Sequence, residues 1–327
     1  MNITGKTEPI QLGIIGAGAV TERLHLPSLR RVEAVQVVAL ADTDPARLTR
    51  VADYFGIERR WLDAQTLLED ASIEAVAICT PPAQHEPLGV EALRAGKHLF
   101  IEKPLALTLD EADRLCNQAD RSDRLVLLGF NLRHHPRAQQ ARRLLLQGRL
   151  GRLVSVRSQF HTRQPVNIPD WRSATNEGGE PLLDLGVHHF DLWRFLLDLE
   201  IQEASASGDR WTCVVSARLT GNVEVKASFS QSADEANEIE IVGSQGKMSL
   251  SFYRMDGFRA AGWGPRLQSL RDGLLAWPEG LMASSYRRQW IHFADCLRTN
   301  TPPTATLEDG RQALQAILST KKCYPGL

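Results

Sequence analysis

The sequence predicts an α/β fold in two parts, a doubly wound parallel sheet followed by an α+β domain with an open, mostly antiparallel sheet. In the first part, short apolar runs rich in β-branched residues alternate with amphipathic helical stretches. After about Asn131 the rhythm changes to longer strands in which polar and apolar residues alternate. The length of 327 residues also favours two domains over one core. We therefore assign residues 1–130 to the first domain and 131–327 to the second.

The first domain is predicted to consist of βαβ units. Its strands are the apolar runs at 10–15, 35–41, 75–79, 98–101 and 125–128. Helical spacing of apolar residues predicts helices between them, for example at 44–54, 86–95 and 109–120. Strands that alternate with helices are typical of a parallel sheet covered by helices on both faces.

The second domain is predicted to open with a helix at 136–147 that ends at Gly148. Alternating patterns predict strands at 153–160, 211–219, 223–230, 238–243 and 247–252, with hairpin turns at 221–222 and 244–246. A strong helix at 182–197 interrupts the strands. Residues 257–283 lack periodicity and are expected to be irregular, before closing helices at 286–298 and 307–318.

The composition excludes several classes of protein. The formal net charge of -1, with 43% hydrophobic and 24% charged residues, gives no indication of nucleic-acid or membrane-surface binding. The five cysteines are scattered and form no CxxC pair, which argues against a disulfide framework or a cysteine zinc site and fits a reducing compartment. No signal peptide or membrane span is apparent, so the expected location is the cytoplasm.

A glycine turn, Gly16-Ala17-Gly18, lies between the first strand and a helix opened by Ala19 and Val20. Gly16 permits the tight turn, Gly18 lets the backbone approach a pyrophosphate, and the helix start offers N–H groups to the phosphate charge. The third glycine of the full fingerprint is replaced by Thr21. The turn therefore predicts a dinucleotide site.

Asp42 ends the second strand, where an acid can accept hydrogen bonds from the adenosine ribose diol and repel a 2′-phosphate. This favours NAD as the cofactor, with NADP possible. The alternative is a glycine turn that only connects a strand to a helix, with Asp42 as a helix-starting residue before Pro45.

Two further segments stand at strand ends, where ligands bind in open α/β sheets. They supply Thr80, Pro81, His85, Glu102 and Lys103 as candidates to line one cleft. A lysine held by a proline next to an acid, in a desolvated cleft, is suited to acid–base chemistry. The alternative for Lys103 is a solvated lysine at a strand end.

The helix near residue 190 carries Asp184, His188 and Asp191 at i, i+4 and i+7, on one face. A histidine and an aspartate one turn apart can form a general base and its orienting partner. The same spacing could hold a metal, which is less favoured because no second His or Cys cluster supplies further ligands. An ordinary amphipathic helix with a polar stripe is the other alternative.

Together, short motifs in a fixed order make the chain resemble the glucose–fructose oxidoreductase and inositol dehydrogenase family (Gfo/Idh/MocA) over nearly its whole length. The motifs are the glycine turn with His25-Leu26-Pro27, Thr80-Pro81-Pro82 with His85, Ala95-Gly96-Lys97-His98, Glu102-Lys103-Pro104, Gly129-Phe130-Asn131 with Arg133, Trp171-Arg172, and Gly178-Gly179 leading into Asp184, His188 and Asp191. Each motif is modest alone, but the ordered set is specific.

The resemblance implies a Rossmann domain, NAD(P) as hydride carrier, and a sugar, inositol or related polyol as substrate. It assigns catalysis to Lys103, Asp184 and His188, and it places the residues Asn131, Arg133, Trp171 and Arg172 near the substrate or the cofactor amide. It also implies a homodimer or homotetramer formed through the open sheet face. The departures are Thr21 in the glycine turn, and Glu180 and Pro181 where small residues are more usual.

The hypothesis that follows is an NAD(P)-dependent dehydrogenase acting on CH–OH groups, with no metal. Two alternatives of the same fold stay open, a non-catalytic dinucleotide-binding regulator and a glycosidase that uses bound NAD transiently. An intact set of Lys103, Asp184 and His188 argues against the regulator, which has no need of it.

Overall fold

The computed structural model describes residues 8–163, 178–254, 258–260 and 281–323. The chain divides into two compact units, one formed by Met1–Gly129 with Tyr286–Arg311 and the other by Phe130–Ser285 with Gln312–Leu327. The first division falls next to the boundary expected from the sequence. The segment Tyr286–Arg311, which the sequence assigned to the second domain, groups with the first unit.

The first unit is built on a six-stranded parallel sheet in the order β3-β2-β1-β4-β5-β6. The strands are β1 Ile10–Ile15, β2 Val35–Ala41, β3 Arg59–Trp61, β4 Ala75–Ile78, β5 His98–Ile101 and β6 Val126–Leu128. The strand order reverses beside β1, and such a switch point is where open α/β sheets bind ligands. The predicted doubly wound sheet is confirmed.

Helices connect these strands, two further helices lie near the end of the chain, and several helix starts follow local capping rules. The helices are Thr21–His25, a π-helical turn that continues as Leu26–Leu29, then Pro45–Phe55, Ala64–Glu69, His85–Arg94, Leu109–Asp120, Leu281–Thr299 and Leu307–Leu318, with a 3-10 turn at Pro82–Gln84. Asp44 caps its helix by accepting hydrogen bonds from the N–H groups of Ala46 and Arg47. Thr108 and Glu111 form a capping box.

The core of the first unit includes residues from the far end of the chain. Trp290 and Phe293 are fully buried with strand and helix residues of the sheet layer. The Trp290 ring lies 4.4 Å from the Phe100 ring, centroid to centroid. Leu128 of β6 also donates its N–H to the Ala305 carbonyl at 3.1 Å. The helix that carries Trp290 is therefore part of this unit's core.

The second unit contains an eight-stranded sheet in the order β13-β12-β11-β7-β10-β9-β8-β14. The strands are β7 Leu153–His161, β8 Ile201–Gly208, β9 Thr212–Leu219, β10 Val223–Ser230, β11 Ala236–Gly243, β12 Gly246–Ser251, β13 Phe258–Ala260 and β14 Lys321–Cys323. The pairs β7–β10 and β8–β14 are parallel and the other pairs are antiparallel. The predicted mostly antiparallel sheet is confirmed.

Two helices of the second unit matter for the site. The first is Pro136–Leu146, after the 3-10 turn Asn131–His134. The second runs over 182–197, as predicted, and consists of a π-helical turn, Leu182–Gly186, followed by the α-helix Val187–Leu197. No helix among the described residues is long and apolar enough to span a membrane.

The prediction of an irregular segment at 257–283 is partly wrong. Phe258–Ala260 forms a strand that pairs with β12, and the helix Leu281–Thr299 starts inside the segment. A three-residue strand is too short to show a period in the sequence. Residues 261–280 lie outside the described part of the chain.

Candidate active site

The glycine turn of the first unit is locked by its surroundings. Gly16 has φ +101°, and a Cβ there would lie 2.5 Å from the carbonyl oxygen of Cys79. Thr21, in place of the third glycine, donates its hydroxyl hydrogen to the Gly16 carbonyl at 2.6 Å. The departure from the full glycine pattern therefore replaces a packing residue with a side chain that holds the turn.

The turn leaves its backbone open at Gly18. A Cβ at Gly18 would meet no atom within 4 Å, so the backbone there is open to a ligand. Ala19 is exposed and Val20 half-buried at the helix start. The hydroxyl oxygen of Thr80 is buried and has no hydrogen-bond partner among the described residues. We call Gly16, Gly18, Ala19, Val20 and Thr80 the dinucleotide cradle.

Asp42 lies at the edge of this cradle, at the end of β2. Its Oδ2 accepts a hydrogen bond from the Ala17 N–H at 2.7 Å, and its Oδ1 accepts one from the Asp44 N–H at 2.9 Å. Arg47 donates to both oxygens, through Nε at 3.1 Å and Nη2 at 3.0 Å. The acid predicted to bind ribose is thus held against the glycine turn by the backbone of the turn itself.

His85 joins the two strand ends that the sequence singled out. Its ring nitrogens lie 2.7 Å from the Pro104 carbonyl and 2.9 Å from the Thr80 carbonyl. The ring is buried, and burial holds the pKa of His85 below its usual value. His85 therefore ties the end of β4 to the Glu-Lys-Pro turn. Pro81, next to Thr80, is exposed.

Glu102 is buried behind the Glu-Lys-Pro turn and accepts a hydrogen bond from the Lys103 N–H at 3.1 Å. Its Oε1 lies 2.9 Å from Nε2 of His25, whose Nδ1 accepts the indole N–H of Trp290 at 3.1 Å. Nδ1 is an acceptor here, so the proton is on Nε2 and is donated to Glu102. Burial opposes ionisation of Glu102, but the hydrogen bond from His25 and the charge of Lys103 keep its pKa below the usual value.

The Glu-Lys-Pro turn thus has a buried support that presents Lys103 at the strand end. Lys103 itself is half-buried, and the peptide bond to Pro104 is cis. Sequence reasoning found Glu102 and Lys103 but missed His25 and Trp290 as their support. The His25-Leu26-Pro27 motif was the available signal for His25, whereas no local signal connects Trp290 to it.

In the second unit, Asp184 lies in the π-helical turn and is buried. Its Oδ2 accepts a hydrogen bond from Gln231 Nε2 at 3.0 Å, and the same amide nitrogen lies 2.8 Å from the Gly179 carbonyl. The Asp184 N–H donates to the Glu180 carbonyl at 2.8 Å. Single π-helical turns inside α-helices occur frequently at functional sites.

His188 follows Asp184 by four residues on the same helix and is 7% exposed. Its ring centroid lies 5.7 Å from that of Phe160. Asp191, predicted on the same face, forms an ion pair with Arg133. The guanidinium donates to the carboxylate from Nε at 2.9 Å and from Nη2 at 2.5 Å. Both members of this ion pair are buried. Asp191 and Arg133 therefore brace the helix with a two-pronged charged contact.

Among the other predicted site residues, Asn131 is buried and donates from Nδ2 to the Ser285 hydroxyl at 2.9 Å. Trp171 and Arg172 lie outside the described residues. Within the described part of the chain, no group of three or more His, Cys, Asp or Glu side chains is arranged to hold a metal ion.

A buried polar chain fixes the helix next to His188. Trp193 Nε1 donates to Ser158 Oγ at 3.2 Å, and Ser158 Oγ lies 2.5 Å from His189 Nδ1. His189 Nε2 lies 2.9 Å from Asn237 Oδ1. An amide oxygen only accepts, so Nε2 carries the proton, and Ser158 donates to Nδ1. His189 is thus held neutral, and burial lowers its pKa to about 4.

The burial of a neutral His189 predicts that the stability of the protein depends on pH. The pKa of His189 falls from 6.5 to about 4 on folding, so between these values the unfolded state binds a proton that the folded state does not. The contribution of His189 to the free energy of unfolding is complete above pH 6.5. It falls by about 3 kcal/mol in total as the pH drops toward 4. Urea unfolding of the wild type and of His189→Gln across this range measures it.

The pH-dependent difference between the two proteins is the quantity of interest, since other groups titrate in both. We expect the stability advantage of the wild type to shrink steadily from pH 6.5 to pH 4. His161→Gln is the comparison: burial also lowers the pKa of the half-buried His161, so we expect a smaller pH-dependent loss of the same sign. A wild-type advantage that is constant with pH would contradict the assignment of a neutral His189.

Comparison with known families agrees with this geometry. The family described as "Oxidoreductase family, NAD-binding Rossmann fold" (Gfo/Idh/MocA) matches residues 10–130, and the Gfo/Idh/MocA C-terminal domain matches residues 138–249. The chain belongs to the Gfo/Idh/MocA family. The predicted family and the predicted enzyme class, a dehydrogenase acting on CH–OH groups with NAD(P), are confirmed.

Characterised relatives of this Gfo/Idh/MocA chain act on inositol and sugar derivatives. A myo-inositol 2-dehydrogenase from Thermotoga maritima is 25% identical over 96% of this chain and 96% of its own. A dTDP-3,4-didehydro-2,6-dideoxy-alpha-D-glucose 3-reductase from Saccharopolyspora spinosa is 32% identical over 74% of each chain. The structure of a levoglucosan dehydrogenase in complex with NADH and levoglucosan shares the fold, with a TM-score of 0.83 at 21% identity over 95% of this chain and 96% of that one.

Proposed function

We propose that this Gfo/Idh/MocA protein transfers a hydride between a nicotinamide dinucleotide, with NAD preferred, and a hydroxyl-bearing carbon of a sugar, inositol or related polyol. The observation that carries the proposal is the presence, in one chain, of the dinucleotide cradle and of a buried aspartate and histidine four residues apart on a braced helix. Ionisable side chains are costly to bury without a role, and here Asp184 is held by a specific partner.

In the proposed mechanism, Lys103, Asp184 and His188 act on the same substrate hydroxyl. Bound NAD(P)⁺ supplies the hydride acceptor at C4 of its nicotinamide ring. His188 accepts the hydroxyl proton as general base, and Asp184, fixed by Gln231, orients the hydroxyl. Lys103, presented by the buried support of Glu102, stabilises the alkoxide as its charge develops.

The preference for NAD is supported by Asp42. Its carboxylate is only 8% exposed and is fixed against the glycine turn by the Ala17 N–H. A carboxylate in this position accepts hydrogen bonds from a ribose diol and repels a 2′-phosphate. Relatives that use NADP exist in the family, so the preference is a property of this site and not of the fold.

A polyhydroxy substrate is supported by Glu180, four residues before Asp184. Its Oε2 is buried and has no hydrogen-bond partner among the residues that the structure describes. A buried acceptor oxygen without a partner is costly, and a substrate hydroxyl would satisfy it. Inositol and levoglucosan, for which two of the relatives are named, are rich in hydroxyl or ring oxygen groups.

Two other activities fit the fold less well. A non-catalytic regulator has no need of the buried Asp184 and His188 on a helix braced by Arg133. A glycosidase that uses NAD transiently would use the same residues, so geometry does not separate it from a dehydrogenase. Net accumulation of NADH does, because the glycosidase regenerates its cofactor in each cycle.

The test is a screen of NAD and NADP reduction against sugars, inositols and sugar acids, followed by absorbance of the reduced nicotinamide. We expect NADH to accumulate when NAD is supplied with one or a few of the polyols. With NADP and the same polyols, we expect NADPH to accumulate more slowly. Hydrolysis of a glycoside without NADH accumulation would favour the glycosidase. Binding of NADH without turnover of any class of substrate would favour the regulator.

A further inference from the structure

Gln231, the first residue after β10, contacts Asp184 of the proposed catalytic set. Its side chain is buried, and its Nε2 lies 3.0 Å from Asp184 Oδ2 and 2.8 Å from the Gly179 carbonyl oxygen. An amide nitrogen carries two hydrogens. Each of the two is therefore donated to one of these oxygens. No motif of the sequence singles out this residue.

The Gly179 carbonyl decides which end of the Gln231 amide faces Asp184. A carbonyl oxygen only accepts hydrogen bonds, so the NH₂ group must face it, and the same NH₂ group then faces the carboxyl of Asp184. A hydrogen bond donated to a carboxylate stabilises the charged form. The contact therefore favours an ionised Asp184, which only accepts hydrogen bonds, over a protonated one.

The main chain of Asp184 is held by the same segment of the protein. Its N–H donates to the Glu180 carbonyl at 2.8 Å. A closed ring of contacts thus runs from the Asp184 side chain through Gln231 to Gly179, along the chain to Glu180, and back to the Asp184 main chain. A carboxylate held through both its main chain and its side chain has few orientations left.

The support behind Gln231 is the interior of the eight-stranded sheet. Its own N–H donates to the Trp211 carbonyl at 2.8 Å, and the strand that precedes it, β10, is paired with β7 on one side and β9 on the other. A Cβ at Gly186 would lie 3.2 Å from the Phe229 ring, so the π-helical turn packs closely on β10. Gln231 therefore fixes the Asp184 carboxylate relative to the sheet.

We propose that Gln231 is a positioning residue of the reaction: its amide holds Asp184 ionised and in one orientation toward the substrate hydroxyl, so that the hydroxyl proton passes to His188. The proposal rests on the proposed function, because it requires Asp184 to act on a substrate. Gln231 acts through Asp184 and not on the substrate itself. Its removal therefore lowers turnover only while residue 184 is an aspartate.

The experiment is a double-mutant cycle in the full-length chain, made of the wild type, Gln231→Met, Asp184→Asn and the double variant. Turnover is measured as NADH formation with the best polyol of the screen. Methionine has about the length of glutamine but no hydrogen-bond donor. In Gln231→Met we expect kcat to fall about tenfold, the usual value of a hydrogen bond to a charged group, and KM to change less than about twofold. In the Asp184→Asn background the same substitution should change kcat less than about twofold.

The matched control is Gln159→Met, because Gln159 Nε2 lies 3.3 Å from Glu238 Oε2 and so makes an amide-to-carboxylate contact elsewhere in the second unit. We expect it to keep wild-type kcat. Thermal unfolding shows which variants fold. Gln231→Glu, a nearly isosteric change, replaces Gln231→Met if that variant does not fold. It turns a second carboxylate toward Asp184 and should lower kcat by more than about tenfold.

The readout is the loss of kcat caused by the change at residue 231 in the wild-type background, divided by its loss in the Asp184→Asn background. High enzyme concentrations and long incubations keep the slow Asp184→Asn reaction measurable. A ratio above about threefold supports the proposal, and a smaller ratio, as a general structural role would give, overturns it. If the wild type oxidises no polyol, the proposed function falls as well; if it does but the ratio is small, only the role of Gln231 falls.

Discussion

Replacement of His188 by alanine is expected to lower kcat by about 10²–10⁴-fold, the usual contribution of a general base. The reason is that His188 has the role of proton acceptor in the proposed mechanism, whereas Asp184 orients the hydroxyl and Lys103 stabilises the alkoxide. His188 is on a helix of the second unit, and the dinucleotide cradle is formed by the first. The Kd of NADH should therefore stay within about twofold of the wild-type value, since only catalysis is removed.

The measurement combines initial rates on the best polyol of the screen with a fluorescence titration of NADH. His161→Gln is the control, because it changes another histidine of the second unit, whose ring Nε2 lies 2.8 Å from the hydroxyl of Ser228 on β10. We expect the control to keep wild-type turnover. Unchanged kcat in His188→Ala would remove the histidine from the mechanism and leave Asp184 or Lys103 as the base.

Replacement of Gly18 by alanine is expected to weaken NADH binding by about 100-fold without loss of stability. A Cβ at this position meets no protein atom within 4 Å, so the folded chain accommodates it. It would occupy the space through which the backbone approaches the pyrophosphate. A hundredfold change corresponds to about 2.8 kcal/mol of binding free energy.

Gly16→Ala is the matched comparison, because it adds the same methyl group two residues earlier. There the Cβ would lie 2.5 Å from the Cys79 carbonyl oxygen at φ +101°, so we expect a loss of about 1–3 kcal/mol in unfolding free energy. Thermal unfolding and NADH titration of both variants separate the two effects. Wild-type NADH affinity in a stable Gly18→Ala would show that the phosphate does not bind at this turn.

Much of the first unit's fold follows from the sequence because the central strands β1, β4 and β5 are almost wholly buried and therefore read as continuous apolar runs. The first, second and fourth strands of the predicted parallel sheet match β1, β2 and β5 at both ends. The edge strand β3 was missed, since its residues Arg59–Trp61 are half-buried and only three in number. The strand β8 was missed because its small and polar residues have low strand propensity.

The site was predictable where function requires a local motif, and not where it requires contacts between distant residues. The glycine turn, Asp42 and the Glu-Lys-Pro turn each carry a local signal. By contrast, Asp191 pairs with Arg133, 58 residues away, and Trp290 contacts His25, 265 residues away. Helical spacing placed Asp191 on the same face as His188 but contains no information on which cation it meets.

Because Tyr286–Arg311 groups with the first unit, it affects when that unit can fold during synthesis. The ribosome completes all six strands of the parallel sheet by residue 128, yet Trp290 and Phe293, which fill the core beside Phe100, are synthesised much later. A nascent chain that ends before them carries the glycine turn and Asp42 but leaves apolar surface open to water. Translation of nearly the whole chain is thus required before the nucleotide-binding half can finish folding.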